Sequence, residues 1–465
     1  MADSTLRELP SQHKWLTDDE FEDSPGPTLV IAWCVSAPDR VGEAVRIPDE
    51  GGILGRGDDP ATLMFRAERP AGGGAARPLE SRLISRSQLA IARRGEGIAV
   101  RNTGSRAMSI NGKTCTEGGL ETGDVLTIEN QLVLILVQRG VWPAAKPAHR
   151  FGRADAVGMV GESQQLWNLR SHLDFLAGEP GSVLLRGPSG VGKELAARAL
   201  HTDGPFVARN AATLPHGLID AELFGSARGY PHAGMPERRG LVGEADGGTL
   251  FLDEIGEMPE ETQAHLLRVL DADGEYQRLG EARSRRSRFR CVAATNRPEG
   301  HLKHDLYARF LHRVSLPGLA ERPDDIPLLA AHLLAKTSAG SSVRERFCEG
   351  DTWRMAPALV EALLRHPWAT HVRELETVLW AALQSSPGRA LVLTQDVQAA
   401  MHQPDQAPED VEGPPAEALT VEAVHAALHR AEGSVTRAAR DLGLSSRYVL
   451  YRHMRRLGVD HTQYG

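Results

Sequence analysis

The stretch LLRGPSGVGKELAARAL at 184–200 leaves a chain few ways to fold. An apolar run enters a glycine-rich turn and leaves as an Ala/Leu/Arg-rich helix, and Gly187-Pro188-Ser189-Gly190-Val191-Gly192-Lys193 fits G-x-x-x-x-G-K in that setting. Glycines let backbone N–H groups close on a phosphate, the helix N-terminus adds positive potential, and Lys193 supplies a point charge at the outer phosphates. The next position, where a metal-binding hydroxyl is usual, is Glu194. Such a turn follows a buried strand and starts a helix, and residues 155–320 repeat that pattern. The strands SVLLRG, TLFLDE and RCVAATN alternate with helical periodicity, which predicts a parallel sheet with crossover helices.

Two further strand ends carry chemistry. GGTLFLDE at 247–254 finishes in Asp253 and Glu254. Asp253 is placed to hold Mg2+ through its water shell and Glu254 to polarise an attacking water; with the phosphates fixed, positioning and charge neutralisation supply most of the catalysis. RCVAATN ends in Thr295 and Asn296, placed to sense a γ-phosphate. The expected cofactors are ATP and Mg2+.

The 465 residues suit about three domains. Two Pro-rich stretches, WPAAKPAHR at 142–150 and HQPDQAPEDVEGPPAE at 402–417, have no apolar periodicity and read as linkers that cannot order themselves. RPAGGGAARP at 69–78 reads as a long loop inside a domain. Before the first linker the runs TLVIAWCV, LAIARR, GIAVRN, MSING, DVLTIEN and LVLILV predict a β-sandwich. Residues 324–386 are helical in pattern only, and 419–457 form another helical group. The net charge of -8 places any nucleic-acid contact in a local patch. Cys34, Cys115, Cys291 and Cys348 form no C-x-x-C pair, which argues against zinc or a disulfide framework and for buried thiols in a reducing cytosol. With no leader pattern and no apolar run near the ~20 residues of a membrane span, the chain reads as cytoplasmic, without a membrane partner.

The runs NAATLPHGLIDAELFG, GGTLFLDEIGEMP, HLLRVL, VAATNR, DLYARF, LAERPDDIPLL and HPWATHVRELE, in this order across about 155–386, resemble the AAA+ ATPase domain of bacterial enhancer-binding proteins, the activators of sigma-54 RNA polymerase. That family also carries Glu after the P-loop lysine, so Glu194 is a family mark. The resemblance implies that Asn210 links Glu254 to the nucleotide state, that Arg373 is the sensor arginine of a helical lid, and that Arg309 is a finger reaching a neighbouring subunit's ATP. It also implies a homo-oligomer, a hexameric ring formed from dimers. The first finger position is Lys303, and a compact ammonium does not reproduce a planar guanidinium fork. The family's GAFTGA loop, which meets sigma-54, corresponds to Gly229-Tyr230-Pro231-His232-Ala233-Gly234. Pro231 and His232 stand in for the aromatic and the threonine, with Tyr230 one position early. Two functions fit: a ring that remodels sigma-54 polymerase, or a nucleotide-responsive DNA-binding regulator that does not touch sigma-54. A metabolic P-loop kinase fits poorly, since no second substrate site accompanies the motif.

The end segment LTVEAVHAALHRAEGSVTRAARDLGLSSRYVLYRHMRRLG resembles a Fis-type helix-turn-helix. Residues 434–457 hold six arginines and one aspartate, and Ser445, Ser446, Arg447, Tyr448, Tyr451, Arg452 and Arg455 would face double-stranded DNA at an enhancer-like site. LTVEAVHAALHRA at 419–431 suits the pairing of two copies, whereas the basic run ARSRRSRFR at 282–290 reads as a solvated hairpin. In the N-terminal region LGRG, LISRSQLAIARR and NTGSRAMSING resemble the forkhead-associated domain. There Arg56 and Ser85 would hold the phosphate of a phosphothreonine protein or a Ser/Thr kinase, with Arg86 nearby. Gln88 takes the place of the usual His, and Arg106 that of the peptide-contacting Asn; a sandwich kept only for dimerisation or docking is the alternative. The expected fold is multi-domain: an FHA-like β-sandwich at 28–140, an α/β AAA+ P-loop ATPase core at 155–320, its α-helical lid at 321–390, and an all-α helix-turn-helix at 418–460.

Overall fold

The computed structural model describes residues 25–57, 59–214, 218–270, 274–297, 301–402 and 420–431, and beyond these 435–442, 444, 450, 453, 454, 457 and 459. Ten strands come first: β1 (Gly26–Cys34), β2 (Ala44–Arg46), β3 (Gly52–Leu54), β4 (Leu89–Arg94), β5 (Gly97–Asn102), β6 (Met108–Ile110), β7 (Lys113–Cys115), β8 (Glu117–Leu120), β9 (Val125–Ile128) and β10 (Leu132–Arg139). They form a six-stranded sheet, β2-β1-β10-β9-β6-β7, packed on a four-stranded sheet, β3-β4-β5-β8. The short β2, β3, β7 and β8 are too brief to show a period of two in the sequence.

In β1 and β10 both faces are buried. Leu29, Ile31, Leu132, Leu134 and Leu136 fill the sandwich core, while Val30, Ala32, Trp33, Val133, Ile135 and Val137 join a second core with Leu328, Leu329, Leu363 and Leu364 of the helical region. A register shift between Ile31 and Trp33 keeps both Ala32 and Trp33 on that outer face. The two regions therefore share a hydrophobic core.

The α/β unit runs α1 (Gln164–Gly178), β11 (Val183–Arg186), α2 (Lys193–Ala199), β12 (Phe206–Asn210), α3 (Ile219–Phe224), α4 (Leu241–Glu244), β13 (Thr249–Asp253), α5 (Glu260–Val269), β14 (Glu275–Gln277), β15 (Ser284–Arg286), β16 (Arg290–Thr295), α6 (His304–Arg309) and β17 (His312–Ser315). Its parallel sheet has the order β12-β13-β16-β11-β17. The strand before the glycine-rich turn thus sits between two strands that do not follow it directly, and open α/β sheets hold ligands beyond the carboxyl ends at such a point. The helical region comprises α7 (Ile326–Thr337), α8 (Ser342–Phe347), α9 (Pro357–Arg365), α10 (Val372–Ser385) and α11 (Gln395–His402), with a small hairpin of β18 (Cys348–Glu349) and β19 (Thr352–Trp353) that the helical pattern did not announce. Pro357 opens α9, whose buried Leu359, Val360, Leu363 and Leu364 make one apolar stripe. Val397 and Met401 of α11 belong to the same core, so the lid runs past the expected boundary at 390. Helices α12 (Val421–Arg430) and α13 (Val435–Asp441) follow.

Residues 142–150 are a held strap, a correction to the linker expected from composition. Arg139 lies over Trp142, Arg69 donates to the His149 carbonyl at 2.9 Å, and the His149 ring stacks on Trp167 of α1. The strap is ordered by aromatic and ionic contacts made from outside it, which its own apolar content does not reveal. Arg139 seals the joint. Its side chain is 4% exposed and pairs with the equally buried Asp324 at 2.9 Å and with Glu68 at 3.3 Å. Burial works against its charge, but the two carboxylates outweigh that and hold the guanidinium pKa above its ordinary value. The next residue, Asp325, accepts from Glu162 N, Ser163 N and Ser163 Oγ ahead of α1, and burial together with Asp324 pushes its carboxyl up to about 6. Of the cysteines, Cys34, Cys291 and Cys348 are buried and Cys115 half-buried; burial pushes the Cys291 thiol up to about 12. Among the described residues no helix is long and apolar enough to cross a membrane.

Candidate nucleotide site

The glycine-rich turn leaves β11 with Gly187, Gly190 and Gly192 all at positive φ, a conformation that costs glycine little. Gly187 N donates to Thr295 O at 3.3 Å, which fastens the turn to the end of β16. Lys193, 6% exposed, opens α2 and turns its Nζ back to the carbonyls of Gly187 and Pro188, with Glu254 Oε1 at 3.5 Å. Glu254 follows β13 in a left-handed conformation, φ 51° and ψ 46°, while its own N–H donates to Asp253 Oδ1. That outlier brings its carboxylate over the loop, where Oε2 also accepts from Asn296 N at 3.4 Å. Thr295 is buried, and its Oγ1 accepts from Arg297 N. Lys193, Glu254, Thr295 and Asn296 therefore meet at one strand-end cleft.

The lid closes the other side. Arg373 donates to Ser189 Oγ at 2.7 Å, and Val372 N donates to Gly190 O at 3.3 Å. Val191 is buried beneath the loop, whereas Glu194 points outward in an i,i+4 pair with Arg198. Asn210 lies opposite Asp253 in the β12–β13 ladder, and its Oδ1 accepts from Ala212 N. Arg309 is exposed at the end of α6, and Lys303 pairs with Glu260 at 3.6 Å. The residues fit Mg2+-bound ATP: a backbone cradle, an ammonium at its mouth, and Asp253 and Glu254 side by side. Among the described residues no group of three or more His, Cys, Asp or Glu gathers as a self-sufficient metal site. One water-mediated carboxylate would instead share the cation with the phosphates.

Beside the site, residues 226–238 pair with the basic hairpin β14–β15. Ala227 N donates to Leu279 O at 2.9 Å, and Tyr230 packs on Gly280, where a Cβ would lie 2.5 Å from the ring. Pro231 and His232 are exposed. On the sandwich, Arg56 N donates to Ser85 O, and a Cβ on Gly55 would come within 2.0 Å of Arg86 O, so only glycine lets these loops meet. Arg56 and Arg86 are exposed, and Ser85 Oγ accepts from Ser105 N. Gln88, fully buried, donates to Asn102 Oδ1 and Arg106 O and accepts from Ser85 N, tying three loops together. Arg106 Nε donates to Leu83 O. Ser445, Ser446, Arg447, Tyr448, Tyr451, Arg452 and Arg455 lie outside the described residues.

A family model described as the sigma-54 interaction domain matches residues 159–316, and one described as the AAA+ ATPase lid domain matches 320–413. The nitric oxide reductase transcription regulator NorR1 of Cupriavidus necator is 39% identical over 264 residues, 54% of this chain and 49% of that protein. The transcriptional regulatory protein ZraR of Escherichia coli K12 is 33% identical over 312 residues, 64% of this chain and 68% of that protein. A crystal structure of NtrX from Brucella abortus in complex with ATP is 28% identical, covers 66% of this chain and 70% of that one, and superposes with a TM-score of 0.47. The chain belongs to the sigma-54-dependent transcriptional regulator family, and its central part is an AAA+ ATPase domain with its lid. It spans about half the length of the nitric oxide reductase regulators it matches.

Proposed function

We propose that the chain is an ATP-dependent transcriptional regulator that binds double-stranded DNA through its tail, assembles as a ring and acts on sigma-54 RNA polymerase under the control of a phosphothreonine-reading sandwich. The observation that carries this reading is the meeting of Lys193, at the start of α2, with Glu254 and Asn296 from two strand ends, while the lid residue Arg373 bonds Ser189 of the same loop. Bound Mg2+-ATP supplies the phosphoanhydride whose cleavage drives the work. Lys193 neutralises the outer phosphates, Asp253 orders the cation's water shell, and a Glu254 carboxylate oxygen orients the attacking water and takes its proton. Asn296 and Arg373 report whether the terminal phosphate is present, and Arg309 completes the charge on a neighbouring subunit's nucleotide.

Open-complex formation tests the reading. Wild-type protein should open a sigma-54 promoter only with hydrolysable ATP, and Glu254→Gln should bind ATP yet open none. The loop at 229–234 favours a second reading, in which nucleotide governs DNA occupancy without a sigma-54 contact: its tip carries rigid Pro231 and His232, and its one aromatic is seated on Gly280. A chain that hydrolyses ATP but opens no sigma-54 promoter would establish that second reading.

For the sandwich, the exposed Arg56 and Arg86 adjoining the half-buried Ser85 support phosphothreonine recognition. A phosphothreonine peptide should bind the whole chain and its unphosphorylated twin should not. Arg56→Ala should cost about tenfold or more in affinity, since charge-assisted bonds dominate such sites. Equal binding of the two peptides would leave the sandwich as a docking unit.

A further inference from the structure

The sensor arginine stands on a joint whose central residue is strained. His371, immediately before α10, has φ 53° and ψ -120°, and it is only 8% exposed. A non-glycine residue holds that conformation only where its surroundings impose it. Its Nδ1 accepts the N–H of Leu319 at 3.2 Å, where the α/β unit passes into the lid. The imidazole lies against Gly318 so closely that a Cβ there would be 2.6 Å from its Cε1. One residue on, Val372 N reaches Gly190 O, and two residues on, Arg373 reaches Ser189 Oγ. Thr370 O rests on Gly190 as well, leaving 2.6 Å to a Cβ built there.

We propose that His371 is a positioning residue for nucleotide binding: seated on Gly318, it pins the first turn of α10 to the core–lid joint and so holds Arg373 over the phosphate loop. The acceptor at Nδ1 is the essential feature. It fixes the direction in which α10 starts, and the strained backbone is the consequence of meeting Leu319 and Gly190 at once. A lid fixed in this way presents Arg373 without a search over lid orientations, which raises affinity by preorganisation.

This inference rests on the reading of the cleft as an ATP site, and the whole chain tests both. Mg2+-ATP affinity is measured by calorimetry, alongside kcat, KM and thermal unfolding, for His371→Asn, His371→Phe and Gly318→Ala. Asparagine tolerates positive φ and can present an acceptor near the Nδ1 position, so His371→Asn should stay within about twofold of wild type. His371→Phe keeps the ring and loses the acceptor, leaving the buried Leu319 N–H unpaired; its unfolding temperature should fall modestly, and the folded variant should bind ATP about tenfold more weakly because the lid is no longer preorganised. Gly318→Ala, which displaces the ring and leaves His371 in place, should weaken ATP alike, and it carries the test should His371→Phe fail to fold. Combined with Arg373→Ala, neither variant should add a further loss, because both act through the same arginine. Full ATP affinity in a folded His371→Phe or Gly318→Ala, additivity with Arg373→Ala, or an Asn variant as weak as Phe would overturn the proposal. Wild-type protein that binds no Mg2+-ATP would overturn the site reading along with it.

Discussion

Lys193→Ala is expected to remove ATP binding. The ammonium is buried, held by two loop carbonyls and set beside Glu254, so it is already placed where the outer phosphates would come to lie. A charge-assisted hydrogen bond contributes about 1.5–3 kcal/mol, and losing two such bonds to phosphate weakens binding at least about a hundredfold. The loss should be larger still, because the Glu254 carboxylate then faces the phosphates without its counter-charge. The fold should survive, since α2 is anchored by Ala196, Ala197 and Leu200 in the core below. Calorimetric titration with Mg2+-ATP decides the matter: an affinity within about tenfold of wild type, in a folded protein, would refute the assignment of the loop.

The second large effect is structural. Arg139→Met should destabilise the sandwich and the lid together, by about 3–5 kcal/mol, because it leaves Asp324 and Glu68 buried without their cation. Trp33 lies in the sandwich and Trp368 in the lid, and both belong to one apolar cluster. Denaturant unfolding followed by tryptophan fluorescence and by circular dichroism should accordingly give one coincident transition, shifted to lower denaturant in the variant. Adding Asp324→Leu should restore part of the loss, since removing both partners of a buried pair is far less costly than removing one. Two separate transitions in the wild type would show that the sandwich is only tethered, and that the shared core does not couple it to the lid.

Legibility in the sequence followed locality. The strand, glycine-rich loop and helix at 183–199 were readable because strand, glycines, Lys193 and helix are consecutive, so their conformation is set by immediate neighbours. That Asp253, Glu254, Thr295 and Asn296 stand along one edge was readable for a related reason: parallel strands bring their carboxyl ends to one edge, so residues at strand ends are neighbours wherever the strands lie in the chain. Two strands of that sheet, β12 and β17, escaped notice, being short and half-exposed. Arg373 entered only through family resemblance, since nothing in its own surroundings says that α10 returns to Ser189.

LVLILV at 132–137 marks the limit most clearly. Its residues mark a strand whose two faces are both apolar. They did not say what covers the second face. Leu132, Leu134 and Leu136 satisfy the sandwich, and a strand's period of two sends Val133, Ile135 and Val137 the other way. Only the path of the chain beyond β10, through the α/β unit to α7 and α9, places the lid there. The same path buries Arg139 against Asp324, a pair 185 positions apart in the chain, and no periodicity encodes so distant a partner. His371 is a case of the same kind: Leu319 donates to its ring and Gly190 accepts from its neighbour Val372, partners that arrive only once core and lid have come together. Local propensity and motif spacing determined the elements and their chemistry; burial of the remaining apolar faces, a property of the assembled chain, decided which elements share a core.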